Sequence, residues 1–179
     1  MLARMFLAAS IFATLLASRG LTEGYKIKPG FYEFVNNASG KLLDIDVSRN
    51  PAPVLVFPQS PTNTQRWLVT PSSIEGYYFI FNMQSALALD SSENGVSGAA
   101  VVVYPLYFIP PRGIPSNATQ HWHFEKADDG YRITNRRQGN ALAASGVEDR
   151  AGVILEAPND QERRQKWQLK HWVVFEPDN

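Results

Sequence analysis

The side chains able to carry catalytic or metal chemistry are few, and their types and spacing argue against both. Cysteine is absent, which removes thiol nucleophiles, disulfides and Cys-based metal sites. The three histidines, His121, His123 and His171, all neighbour a tryptophan. On a strand, His121 and His123 would face away from Trp122 together, but no third zinc ligand accompanies them. No Gly-x-Ser-x-Gly, phosphate-loop or His-Glu-x-x-His pattern occurs. What remains is a pair of aspartates, Asp44 and Asp90, at matching places in a repeated pattern. A carboxylate can accept two hydroxyl hydrogen bonds, and an aromatic ring nearby can cover a C–H face, so together they suit a sugar ring. Glycoside cleavage needs two carboxylates flanking one bond. Asp44 and Asp90 belong to different copies, so the pattern does not suit glycoside cleavage, and no cofactor is implied.

The elements that must position these residues come in three copies. "NTQRWLV", "ATQHWHF" and "RRQKWQL" each carry Gln, one residue, then Trp: Gln65/Trp67, Gln120/Trp122 and Gln165/Trp167. Upstream, a Gly opens each copy (Gly30, Gly76, Gly130), and a Tyr precedes an Asn at constant spacing: Tyr32/Asn36, Tyr78/Asn82, Tyr131/Asn135. The third copy has Ala143 where the others have Asp44 and Asp90. β-branched runs follow in each copy, "PVLVF", "AAVVVYP" and "AGVILEAP". The copies span about 25–74, 75–128 and 129–175, a period of about 50 residues. Short alternating segments bounded by Asn, Ser, Gly and Pro predict about four strands per copy and an all-β fold. Some twelve short strands favour a closed barrel with threefold pseudosymmetry, because closure removes strand edges. A strand would aim the Gln and Trp of each pair to one face. The ring is expected in the core, and the Gln amide on backbone groups of the adjoining turn, so the pairs are read as fasteners of the fold.

Composition sets the outer bounds. The 179 residues, 44% of them apolar, suffice for one packed domain at 21–179. Seventeen basic residues balance 17 acidic ones, which gives no electrostatic basis for nucleic-acid binding. Residues 1–20 combine Arg4, an apolar run from Met5 to Ala17, and small residues at Ser18 and Gly20. That is the layout of a removable signal peptide, too short for the ~20 apolar residues of a membrane span. It predicts a secreted, extracellular protein without membrane insertion. The sequons at Asn37 and Asn117 would then be open to N-glycosylation.

The three register-matched Gln-x-Trp copies resemble the ricin B-type β-trefoil, the R-type lectin or family 13 carbohydrate-binding module, in its cysteine-free form. The resemblance covers the whole chain after residue 20. It implies a β-trefoil of three four-stranded pseudo-repeats and a non-catalytic lectin with glycans or glycoproteins as partners. Such shallow sites combine an Asp near the second strand, an aromatic after the third, and an amide side chain just before the Gln. By that pattern copy one offers Asp44, Phe57 and Thr64, and copy two offers Asp90, Tyr104 and Thr119. Thr64 and Thr119 depart from the usual Asn. In copy three Ala143, Glu156 and Arg164 replace all three parts, so binding is expected in copies one and two alone. Weak single sites would gain affinity from two sites per chain or from a homo-oligomer.

Copy two carries an insertion, "LYFIPPRGIPSN", over 106–117. It is read as packing on its own barrel, as an extended wall for the copy-two site, or as a substrate-like loop presenting Arg112 to a trypsin-like protease. The last makes a β-trefoil serine-protease inhibitor the alternative function.

Overall fold

The computed structural model describes residues 27–92, 95–107 and 118–174. The segment 1–20, the Asn117 sequon and the Arg112 loop lie outside these residues. Among them are twelve strands, four per copy. Copy one holds β1 (Gly30–Asn36), β2 (Leu42–Ile45), β3 (Ala52–Phe57) and β4 (Trp67–Pro71). Copy two holds β5 (Tyr78–Asn82), β6 (Ala88–Asp90), β7 (Val102–Tyr104) and β8 (Trp122–Ala127). Copy three holds β9 (Gly130–Asn135), β10 (Ala141–Ala144), β11 (Val153–Glu156) and β12 (Lys166–Val174).

The first and fourth strands of the copies close an antiparallel ring. β1 pairs β4, β4 pairs β5, β5 pairs β8, β8 pairs β9, β9 pairs β12, and β12 returns to β1. The second and third strands form the hairpins β2–β3, β6–β7 and β10–β11. These hairpins meet one another through Ala52↔Val103, Leu55↔Gly152 and Ala100↔Ile154. A closed barrel capped by three hairpins is a β-trefoil. Closure leaves the barrel strands without free edges.

Alternation along the barrel strands decides what fills it. Tyr32, Phe34, Trp67, Val69, Ile80, Trp122, Phe124, Ile133 and Trp167 are all buried in one cluster. Each motif indole donates its Nε1 proton to the second strand of its own copy: Trp67 to the Leu43 carbonyl at 3.0 Å, Trp122 to Leu89 at 2.9 Å, Trp167 to Leu142 at 2.9 Å. Burying the ring while satisfying its N–H is what lets so large a side chain serve as a core post. The repeated tyrosines also meet. Burial, with Tyr131 and Tyr78 nearby, pushes the Tyr32 phenol up to about 12.

The glutamines are placed differently from the strand expectation. Gln65, Gln120 and Gln165 each end a short 3-10 turn, Asn63–Gln65, Ala118–Gln120 and Arg163–Gln165, just before the motif tryptophan. The turn breaks the two-residue alternation, so Gln faces back toward the preceding loop while Trp alone enters the barrel.

The repeated asparagines do what their spacing did not reveal. Asn36 Nδ2 donates to the Arg164 carbonyl at 2.8 Å, Asn82 Nδ2 to Thr64 at 2.7 Å, and Asn135 Nδ2 to Thr119 at 2.8 Å. Each acceptor directly precedes the motif Gln of the previous copy, with copy three preceding copy one. Asn36 Oδ1 accepts from the amides of Ala38 and Ser39, and Asn82 Oδ1 from those of Gln84 and Ser85. One side chain thus shapes a hairpin turn and ties two copies together.

Candidate functional site

The hairpin registers place the predicted site residues. Asp44 stands opposite Leu55 and Leu42 opposite Phe57, while Asp90 stands opposite Val102 and Ala88 opposite Tyr104. Residues two apart on a strand share a face, so each Asp and its aromatic lie on the same side of one hairpin. The 3-10 turn then brings the following Thr–Gln pair beneath that face.

In copy one each carboxylate oxygen is engaged inside the protein. Asp44 is buried; its Oδ1 accepts from the Ile45 amide at 2.7 Å and its Oδ2 from Gln65 Nε2 at 2.9 Å. Gln65 completes its own set by donating to the Pro58 carbonyl at 2.9 Å and accepting from the Ser60 amide at 2.8 Å. Thr64 shares a 2.7 Å hydrogen bond with the Thr62 hydroxyl, which pairs in turn with Ser60 at 3.0 Å. Phe57 is half-buried and Leu55 buried. Asp44 therefore braces the Gln65 turn as well as lying in the predicted place.

Copy two is differently balanced. Asp90 and Thr119 are 3% and 2% exposed. Burial pushes the Asp90 carboxyl above its ordinary 3.8, opposed by hydrogen bonds from the Thr119 side chain, the Ser92 backbone and the Gln120 side chain. Among the described residues its Oδ1 has no hydrogen-bond partner. Above it the aromatic is open: Tyr104 is 37% exposed and stacks on Tyr107, with ring centroids 5.3 Å apart and planes 20° off parallel. Tyr107 belongs to the insertion, and its amide donates to Gln120 Oε1 at 3.0 Å. Gln120 Nε2 donates to the Pro105 carbonyl at 2.9 Å. The turn that sets the motif Gln thereby also sets the aromatic pair.

In copy three the same space is filled by an ion-pair cluster. Ala143 is completely buried, and Glu156 supplies the carboxylate from the third strand, accepting from Gln165 Nε2 at 3.2 Å. Arg164 Nη1 reaches Glu156 at 3.2 Å and the Ala144 carbonyl at 3.2 Å, and its Nη2 reaches Glu162 at 2.9 Å. Gln165 otherwise repeats its counterparts, donating to the Ala157 carbonyl and accepting from the Asn159 amide. Nothing in the residue pattern announced that Glu156 would take over the bond lost with Asp at 143.

The other candidate groups are placed apart from these hairpins. His121 is buried against the Phe79 ring at 4.8 Å, and His123 Nδ1 lies 2.9 Å from the Gly76 carbonyl. Among the described residues no group of three or more His, Asp or Glu side chains is arranged to hold a metal. No described helix is long and apolar enough to cross a membrane. Asn37 is half-buried, with its Nδ2 donating to the Asp129 carbonyl at 3.0 Å.

Residues 30–167 match the family model of the ricin-type β-trefoil lectin domain, and the chain belongs to that family. Solved structures agree on the architecture. A designed threefold-symmetric protein, ThreeFoil, is 27% identical with a TM-score of 0.69, over 78% of this chain and 97% of its own. The ricin B-like lectin of Macrolepiota procera, solved with lactose, is 16% identical with a TM-score of 0.68, over 83% of this chain and 99% of its own. An exo-β-1,3-galactanase from Clostridium thermocellum is 26% identical with a TM-score of 0.67, over 83% of this chain but 31% of its own. No curated protein matches the chain in sequence. The cysteine-free, all-β trefoil expected from the Gln-x-Trp repeat is thus the fold observed, and it is that of a carbohydrate-binding domain.

Proposed function

We propose that the protein is a secreted, non-catalytic lectin whose principal glycan site is in copy two, formed by Asp90, Thr119 and Tyr104 and walled by Tyr107. The carrying observation is the contrast between the two aspartates. Both oxygens of Asp44 are used within the fold, whereas the buried Asp90 Oδ1 has no partner among the described residues and shares its hairpin face with the part-exposed Tyr104. A carboxylate held in a desolvated place with acceptor capacity to spare is a recognised mark of a binding site. A sugar hydroxyl admitted by a small turn of the buried Asp90 side chain would supply the missing bond, while Tyr104 covers the ring's C–H face. Copy one, with Asp44, Phe57 and Thr64, is the weaker site, and copy three serves the fold. Secretion rests on the signal-peptide layout of residues 1–20.

The lactose complex of the Macrolepiota lectin and the similarity to an exo-β-1,3-galactanase both favour a galactose-type ligand. A single shallow site holds such a sugar at about millimolar dissociation constant, so clustered glycans supply the avidity. The test is retention on a galactose-bearing matrix with elution by lactose, backed by a glycan array. Asp90→Ala and Tyr104→Ala are each expected to lose most of the retention. Undiminished retention of an Asp44→Ala/Asp90→Ala double variant would sink the site assignment.

A further inference from the structure

Three of the four tryptophans are the motif residues at zero exposure, and the fourth, Trp172, is 43% exposed. Its exposure has a local cause. Phe31 pairs with Val173 but Tyr32 pairs with His171, so Trp172 is the extra residue of a β-bulge in β12. Bulges re-aim a side chain without ending the sheet. Here the bulge sends the indole to the outer wall of the barrel, where Phe31 meets it edge-on at 5.9 Å and 77°. The Arg66 guanidinium lies over the ring, 4.1 Å from its centroid. Ser72 and Ala127 hold the corresponding place in the other copies, so the platform is not a product of the repeat.

The groups around the indole are unevenly satisfied. Arg66 Nη1 donates to Asn63 Oδ1 at 2.9 Å, its Nε is buried with no partner, and among the described residues it pairs with no carboxylate. Glu33 follows Phe31 on the same outer face of β1, since the intervening Tyr32 points into the core. Glu33 sits opposite Lys170 in the ladder and likewise forms no ion pair among the described residues. A part-exposed indole with a guanidinium over one face, beside a carboxylate that forms no ion pair among the described residues, provides an apolar surface, hydroxyl donors and a hydroxyl acceptor.

We propose that Trp172, Arg66 and Glu33 form a second glycan contact on the barrel wall, taking the C–H face of a neutral pyranose on the indole and its hydroxyls on the two charged groups. This rests on the reading of the protein as a lectin, but it uses none of the three hairpin sites. The chemistry of the patch, an apolar ring edge flanked by a donor and an acceptor, suits a sugar ring. An indole 43% exposed offers about 100 Å² of a side chain that spans up to ~250 Å², on the scale of one pyranose face.

Acrylamide quenching of tryptophan fluorescence in the full chain reads this site directly, because the other three indoles are buried. Quenching is expected to be dominated by one accessible indole and to disappear in Trp172→Phe. Saturating lactose or chitotriose is expected to lower the quenching constant at least twofold, in the wild type and equally in Tyr104→Ala, while Glu33→Gln weakens the protection. Retention on the sugar matrix with unchanged Trp172 quenching under either sugar would overturn this proposal and leave the lectin reading standing. Protection that vanishes in Tyr104→Ala would also overturn it, by tracing the signal to copy two. Absence of both retention and protection would remove both readings.

Discussion

The side-chain amide of Asn36 donates to the backbone carbonyl of Arg164, 128 residues further along the chain. This bond joins the first copy to the last, and Asn82 and Asn135 make its counterparts between the others. Asn36 is wholly buried, and its Oδ1 also serves the turn amides of Ala38 and Ser39.

Truncating it therefore leaves both a carbonyl and turn amides without partners. Asn36→Ala is expected to cost about 2 kcal/mol, the scale of a buried group left unsatisfied. Urea unfolding should show a lower midpoint with an unchanged slope. A loss below about 0.5 kcal/mol would contradict the role of closing the ring.

Ala86 sits at φ +57°, the turn position where copies one and three have Gly40 at +68° and Gly139 at +72°. A side chain in the left-handed region costs roughly 1–2 kcal/mol, partly offset by the greater chain entropy glycine loses on folding. Ala86→Gly is expected to stabilise the protein by about 0.5–1 kcal/mol, and Gly40→Ala to destabilise it by a similar amount. Thermal unfolding of the two variants checks the opposite signs.

The raised Asp90 carboxyl links stability to pH in an unusual direction. Burial is the main cause, so the folded state holds the proton more tightly than the unfolded state does. Between the ordinary 3.8 and the raised value the folded chain binds more protons, and this group's contribution falls as pH rises through that window. Relative to the wild type, Asp90→Asn should therefore be more stable at neutral pH than it is near pH 3.8, while losing sugar retention. A pH series of unfolding midpoints on wild type and variant isolates this contribution. A wild-type curve that rises more steeply than the variant's across the window would contradict it.

Much of the architecture was legible because the repeat is written in residue types with a single structural use. Three tryptophans at matched spacing, each after a Gln, leave little choice about what is inside. The glutamine turns were not legible, because a Gln two before a Trp looks the same in a strand and in a 3-10 turn. The Asn bonds between copies were hidden for a related reason: spacing shows that a residue recurs, not what it touches in the neighbouring copy. Trp172 carried a visible signal, as the fourth tryptophan outside the motif, but its exposure depends on a bulge that no local pattern marks.

The sequence by itself determined the threefold all-β plan, the absence of cysteine chemistry, and the hairpins on which a sugar site could sit. These follow from side-chain type and period, which act along the chain. Only the tertiary structure decided how each carboxylate is used. Asp44 is engaged by Gln65 and the Ile45 amide, Asp90 retains an acceptor beneath Tyr104, and Glu156 stands in where Ala143 brings none. Identical residue types diverge because hydrogen-bond capacity is settled by what packs around a group in space, and those neighbours come from a turn, a third strand and an insertion.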